Sequence, residues 1–340
     1  RAAGSAAADT PVAAPAPAPQ FQPEPNVWRR SDGDLSDRDI EHLARDTAYE
    51  GGRMQPGEPD DMVPGTGAEY EGGRNPDVMT QRGDPHFRSN LDANRMDYVD
   101  SIDNKDTGLN AVNARNRDTG QTHIIVRGTE FHIPQDRWAD GRSDAGSIGK
   151  DQYDADKDTF DRWVDEANGD VVVTGHSLGA AVGQRVVADN ADRVDRGVFF
   201  NPPGVEQEVV DGIDPDDLTR PNPDDPSKRD SKITHYVHPR DPVSFAGGET
   251  HLPGNVVIAE GGPLETGNPE AVPLAEHRGS MLDGNTSLTP MDFDEWQDSR
   301  VPVSTLLQDE LDRMREENPD WLAENPGAAL DAAIEAVISG

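Results

Sequence analysis

The sequence predicts an α/β fold, a mostly parallel sheet flanked by helices, with an extended N-terminal arm and C-terminal helices added to it. Three observations lead there. Short apolar, β-rich runs recur at 123–126, 171–173, 197–200 and 255–259, each of strand length and bounded by turn residues. Helical patterns fall between them, with Phe160, Trp163 and Val164 in a stretch near 151–168 and LGAAVGQRVVA over 178–188. The run at 171 passes into the second of these helices through one glycine-bounded turn, Gly175-His176-Ser177-Leu178-Gly179. Strands alternating with helices in this way build a parallel sheet covered on both faces.

Taken in order, residues 1–30 form an Ala/Pro-rich arm (PVAAPAPAPQFQPEP), a composition that favours extended, solvated chain. Residues 31–90 are polar and rich in Gly, Asp and Pro. They hold one helix candidate, Leu35 to Tyr49, with Asp34 or Ser36 as its cap, and are expected to wrap the next domain. The main domain is placed at 91–290. It opens with a hairpin in which Leu109–Ala114 and Thr122–Val126 flank Arg117-Asp118-Thr119-Gly120. Further strands are expected at 197–201, 232–237 and 255–260, and an acidic excursion at Glu206 to Asp230. Residues 291–340 form a helical extension with candidates at Ser304–Glu317 and Pro326–Ile338, whose apolar residues recur at helical spacing. Packing on the main domain is the plain reading of those helices. They and the N-terminal arm are also the segments offered to a protein partner.

Composition bounds the setting. The chain has 45 Asp and 21 Glu against 5 Lys and 26 Arg, a formal net charge of −35. Acidic residues are spread along the chain instead of gathering in a tail. This balance suits brine, because molar salt shortens the Debye length to about 3 Å and screens the self-repulsion. The source is therefore expected to be halophilic. No basic patch is present to neutralise phosphates, which disfavours nucleic acid as a partner. With no cysteine, disulfides and thiolate metal sites are excluded. No run of about 18 apolar residues occurs, so no transmembrane helix is expected. The sequence starts at Arg1, consistent with removal of a leader or with a piece of a longer product, and an extracellular or particle-associated setting fits either. Compartment is otherwise open.

The turn at Ser177 carries the chemistry. A serine at the tip of a sharp strand-to-helix turn needs glycines two before and two after it, here Gly175 and Gly179, to clear the backbone. The same turn aims N–H groups and the helix's positive end at the place where an ester carbonyl would become an oxyanion. The plain alternative, an ordinary serine in a glycine-rich turn, does not explain the strand and helix on either side. Serine needs a base and the base an orienting carboxylate, in the chain order serine, acid, histidine for this kind of elbow.

Asp241, just past the strand-like ITHYV, leads for the acid, with Asp230 and Asp283 as rivals. Of nine histidines, His42, His86, His123 and His132 precede the serine, and His176 lies inside the elbow. His235, His238, His251 and His277 remain. His277 leads because it follows the last strand, with His251 next. The oxyanion hole takes the N–H of Leu178 and a second donor from the loop after IIVRGTEF, where Gly128 permits a close turn and Thr129 offers its N–H and hydroxyl.

In order and content, IIVRGTEF, the acidic stretch around Trp138-Ala139-Asp140, VVVTGHSLGAA, FFNPPG and YVHPRDPVS over roughly 95–285 resemble the lipase class 3 family of α/β-hydrolases. The resemblance implies a serine lipase or esterase without a cofactor. It makes Ser177 the nucleophile, completes the triad with Asp241 and His277, and builds the oxyanion hole from Thr129 and Leu178. It implies small-molecule or lipid esters as substrates. The stretch 130–150, where fungal members carry an apolar lid, holds seven charged side chains here, which points to short-chain or monomeric esters over bulk fat. A second reading makes the chain a structural component of a surface or particle assembly built on the same fold, with or without activity.

Overall fold

The computed structural model describes residues 35–47, 91, 94–104, 106–128, 148–222, 225–239, 241, 243–245, 250–260, 281–282, 286–299 and 313. Their centre is an eight-stranded sheet. In chain order its strands are β1 (Met96–Asp103), β2 (Asn110–Asn116), β3 (Thr122–Val126), β4 (Val171–His176), β5 (Arg196–Phe200), β8 (Ile233–Val237), β9 (Asn255–Glu260) and β10 (Ser287–Met291). They lie side by side in that order, with β6 (Thr219–Pro221) and β7 (Arg229–Ser231) paired apart from them. Neighbours from β3 through β9 run parallel. Antiparallel partners close each side, β1 and β2 on one and β10 on the other.

Alternation along the strands explains the two-faced core. Ile124 and Val126 of β3, Val171 and Val173 of β4 and Phe199 of β5 point to one face. There they meet Phe160 and Trp163 of a helix at Lys150–Asp165 and Val182 and Val186 of a helix at Leu178–Asp189. Ile125, Val172, Val198 and Phe200 point to the other face, as a period of two demands. Strands buried on both sides read as continuous apolar runs, which is why β3, β4 and β5 are legible in the sequence. Among the described residues, the α-helices of five residues or more are α1 (Asp37–His42), α2 (Lys150–Asp165), α3 (Leu178–Asp189), α4 (Gln207–Asp211) and α5 (Phe293–Ser299).

The second face is covered by α1. Ser36 caps it through a capping box with Asp39, one of the two caps the sequence offers. The helix is shorter than the pattern suggests and continues as a π-helical turn, Leu43–Thr47. Ile40, Leu43 and Ala44 fill the cluster against the sheet. Asp37 is buried between the Arg196 guanidinium of β5, with which it pairs, and the Tyr236 hydroxyl of β8, which donates to it. Glu41, fully buried, accepts the N–H groups of Met281 (2.6 Å) and Leu282 (2.9 Å). Burial pushes its carboxyl above the ordinary carboxylate range, against the lowering influence of Arg45 and of those two N–H groups.

Three features differ from the sequence reading. Strands β1 and β10 were not anticipated. Each is a sheet edge with much of its surface in water, so an acidic MDYVDSID and a proline-bearing SLTPM lack the apolar run that marks a central strand, and Pro290 is tolerated because an edge has an unpaired side. The excursion at 206–230 is more ordered than a hydrated loop. It holds α4, a 3₁₀ turn at Pro215–Leu218 and the β6–β7 pair, anchored by Leu218 in the main core. The residues of the N-terminal arm and the C-terminal helix candidates at 304–317 and 326–338 lie outside the described residues, apart from 313.

Candidate active site

Ser177 stands between the last residue of β4 and the first of α3, with φ 57° and ψ −131°. A non-glycine residue held there costs roughly 1–3 kcal/mol, and the surrounding contacts enforce it. Its N–H donates to the Phe200 carbonyl (3.0 Å) and its own carbonyl receives the N–H groups of Ala180 (2.8 Å) and Ala181 (3.3 Å). The backbone of the turn is thereby tied to β5 on one side and to α3 on the other. Leu178 is the first helical residue, and a first-turn N–H has no partner within its own helix. The positive end of a 12-residue helix thus opens directly behind the serine.

The flanking glycines are required by space. A Cβ on Gly175 would lie 2.3 Å from the Gly179 carbonyl oxygen. One on Gly179 would lie 2.3 Å from the Val126 carbonyl oxygen and 2.5 Å from that of Arg127. The second contact brings the end of β3 against the start of α3. Gly128, and after it the position of Thr129, follow directly from that strand end. Thr129 itself lies outside the described residues.

Asp241 is fully buried four residues beyond the end of β8. Its Oδ1 accepts the Val243 N–H (3.1 Å), and its Oδ2 accepts the Ser244 N–H (3.2 Å) and the Ser244 hydroxyl (2.7 Å). Its own N–H donates to the His238 carbonyl (3.1 Å). Three donors on this buried carboxyl fix its direction. Strands β4, β5 and β8 are parallel neighbours, so Ser177 and Asp241 both lie past carboxyl ends at the same edge of the sheet, where loops of such sheets form sites. Ser244 and the buried Asn201, whose side chain accepts the His238 N–H (2.9 Å), were not singled out in the sequence. The FFNPPG segment was noticed there as a motif, but nothing local shows that its asparagine reaches residue 238.

The rival groups have other employment. Asp230 lies in β7 and accepts the Asn222 amide (2.8 Å). His123 is fully buried in β3 beside the Gln121 side chain (2.9 Å), and burial holds its pKa down to about 3. His235, inside β8, contacts the Leu252 carbonyl through Nε2 (2.8 Å). His251 donates from Nε2 to the Pro202 carbonyl (2.9 Å) and receives the Gln297 amide at Nδ1 (3.1 Å). It packs on Trp296 with ring centroids 4.3 Å apart. With both nitrogens so occupied, it is a poor general base. His277 and Asp283 lie outside the described residues. Met281 and Leu282, four and five residues after His277 in the sequence, are held by Glu41.

Among the described residues no cluster of His, Asp or Glu could hold a metal ion, and no helix is long and apolar enough to cross a membrane. With the elbow and the sheet order in view, comparison with known proteins is direct. Residues 127–338, more than half of the chain, match the model of the alpha/beta hydrolase family. The chain belongs to the alpha/beta hydrolase family. Similar solved structures include a mutant of MDLA from Penicillium cyclopium, at 14% identity and TM-score 0.44, with 76% of this chain and 85% of that one covered. A lipase from Yarrowia lipolytica matches at 15% identity and TM-score 0.38, covering 67% and 78%. The Rhizomucor miehei lipase propeptide complex matches at 18% identity and TM-score 0.30 over 45% of this chain, which spans about half (52%) of its length. No curated protein matches the chain by sequence.

Proposed function

We propose that this alpha/beta hydrolase is a serine esterase or lipase of the class 3 type. The observation that carries the reading is the strained Ser177 at the tip of the β4–α3 turn, with a buried, triply hydrogen-bonded Asp241 past a neighbouring parallel strand. In this mechanism His277 takes the proton from Ser177 Oγ as the oxygen bonds to the ester carbonyl carbon. The N–H groups of Leu178 and Thr129 receive the oxyanion. Collapse breaks the carbon–oxygen bond to the alcohol, which leaves with the proton from His277. Water then attacks the acyl-enzyme with His277 again as base, and the acid and free serine are released. Asp241 keeps the imidazole in one tautomer throughout. Short-chain or monomeric esters are the favoured substrates, because the charged 130–150 stretch offers little apolar surface for adsorption.

The test is labelling by a fluorophosphonate together with turnover of an activated ester. Wild type should label and turn over, Ser177→Ala should do neither, and His277→Ala and Asp241→Asn should lower kcat, the latter by up to roughly 10⁴-fold. Unlabelled wild type would favour a non-catalytic use of the fold. Turnover lost in His251→Ala but kept in His277→Ala would move the base.

The net charge of −35 supports a second element of the reading, a high-salt setting. Near 0.01 M salt the Debye length reaches roughly 30 Å, so carboxylates across the surface repel one another. Helical signal and activity should then fall together as chloride is withdrawn. Native ellipticity and full rate at a few tens of millimolar salt would show that the fold does not depend on this screening.

A further inference from the structure

Asn201 is the residue immediately after β5, fully buried, with φ 44°. Positive φ is cheapest for glycine, and among other residues Asn is one of the few that tolerate it. If the backbone bend were all that the position required, glycine would meet it at lower cost. The use made of the side chain explains the choice. Its Oδ1 accepts the N–H of His238 (2.9 Å), the first residue past the end of β8. His238 is itself buried, so this donor sits where an unmade hydrogen bond is expensive.

The bonds around Asn201 join the two candidate catalytic corners. Upstream, the Phe200 carbonyl receives the Ser177 N–H (3.0 Å), and the Asn201 N–H donates to Tyr236 in β8 (2.8 Å). Downstream, the His238 carbonyl that follows the Asn201-bound N–H receives the N–H of Asp241 (3.1 Å). Nucleophile and acid are therefore connected through one strand end and one side chain, without passing through solvent-facing chain.

We propose that Asn201 is a positioning residue, its amide setting where Asp241 stands relative to Ser177. The role rests on the reading of Ser177 as nucleophile and Asp241 as acid. It goes beyond that reading because Asn201 acts through the loop that carries the acid, which it holds by the His238 N–H. Misplacement of a catalytic group by about 1 Å costs on the order of 10²-fold in rate, so a loosened loop is expected to show in kcat.

The experiment is a double-mutant cycle. Asn201→Gly keeps the backbone conformation and removes the acceptor. It should lower kcat by about 10- to 100-fold, with KM within about twofold and a cooperative melt retained. Placed on Asp241→Asn, the same substitution should cost less than about twofold, since residues acting through one group are not additive. Asn201→Asp keeps an acceptor oxygen on a residue tolerant of positive φ, and its kcat should stay within about tenfold of wild type. Asn201→Gly within twofold of wild type, or equal losses from it in the two backgrounds, would overturn the role. So would an Asn201→Asp loss as deep as that of Asp241→Asn, whether or not the glycine variant folds. Wild-type turnover that does not depend on Ser177 would overturn the hydrolase reading itself, and is seen before any Asn201 variant is made.

Discussion

The corner that holds Ser177 and the corner that holds Asp241 solve the same problem by opposite means. At Ser177 the backbone is forced into a strained conformation by closeness. Gly175 and Gly179 let carbonyls of the turn and of β3 approach where a single Cβ would lie 2.3 Å from an oxygen. At Asp241 the side chain is held by donors, two from the 243–244 backbone and one from the Ser244 hydroxyl. Its loop is held in turn by an asparagine 37 positions away from the residue it binds. One corner depends on the absence of side chains, the other on their presence. A packed backbone should therefore fail abruptly when an atom is added, and a hydrogen-bonded loop gradually when one is removed.

Two substitutions would break or sharpen that contrast. The larger effect is expected from Gly179→Ala, whose added methyl meets the carbonyl oxygens of Val126 and Arg127, backbone atoms that cannot swing aside. Overpacking of this kind should cost about 3 kcal/mol or more, read as a drop in the urea midpoint together with loss of Ser177-dependent labelling. Gly212→Ala serves as the control. A methyl there would make only an ordinary contact, 3.6 Å to the Glu208 carbonyl, and its φ of −78° suits alanine, so stability should hold or rise by about 0.4–1 kcal/mol. If the two variants unfold alike, the closeness at Gly179 is not what enforces the elbow. The smaller effect belongs to Ser244→Ala, which removes the hydroxyl that donates to Asp241 Oδ2. About 1.5 kcal/mol of stability should be lost, the low end for a hydrogen bond to a charged group, and kcat should fall by less than in Asp241→Asn. A loss of rate equal to that of Asp241→Asn would mean that the carboxylate depends wholly on this hydroxyl for its position, and that this corner also fails abruptly.

The same contrast decides what could be read from the sequence. The elbow is written in five consecutive residues, with an apolar strand before it and a helical pattern after it, although the carbonyls that require Gly179 belong to the end of β3. The hairpin of β2 and β3 was legible from its turn residues, and β4, β5, β8 and β9 from apolar runs that burial on two faces makes continuous. Asp241 is a candidate acid from its place after β8, yet the groups that hold its loop are not legible, because Ser244 and Asn201 have no unusual neighbours in the chain. The edge strands β1 and β10 were missed since half their surface faces water. His251 was a reasonable rival base by position, and only its contacts with Pro202, Gln297 and Trp296 show it occupied elsewhere.

By itself, the sequence determined the α/β class, the positions of the central strands, the glycine-bounded turn at Ser177 and the acidic composition. Each depends on residue type within a window of a few positions, where periodicity, steric size and charge act directly. The tertiary structure alone decided how the second face of the sheet is closed. There Asp37 bridges Arg196 and Tyr236, and Glu41 receives the N–H groups of residues 240 and 241 positions further on. No local pattern marks those carboxylates among 66. A buried charge is stable only where partners converge on it, and which partners converge is set by how the chain returns to the sheet.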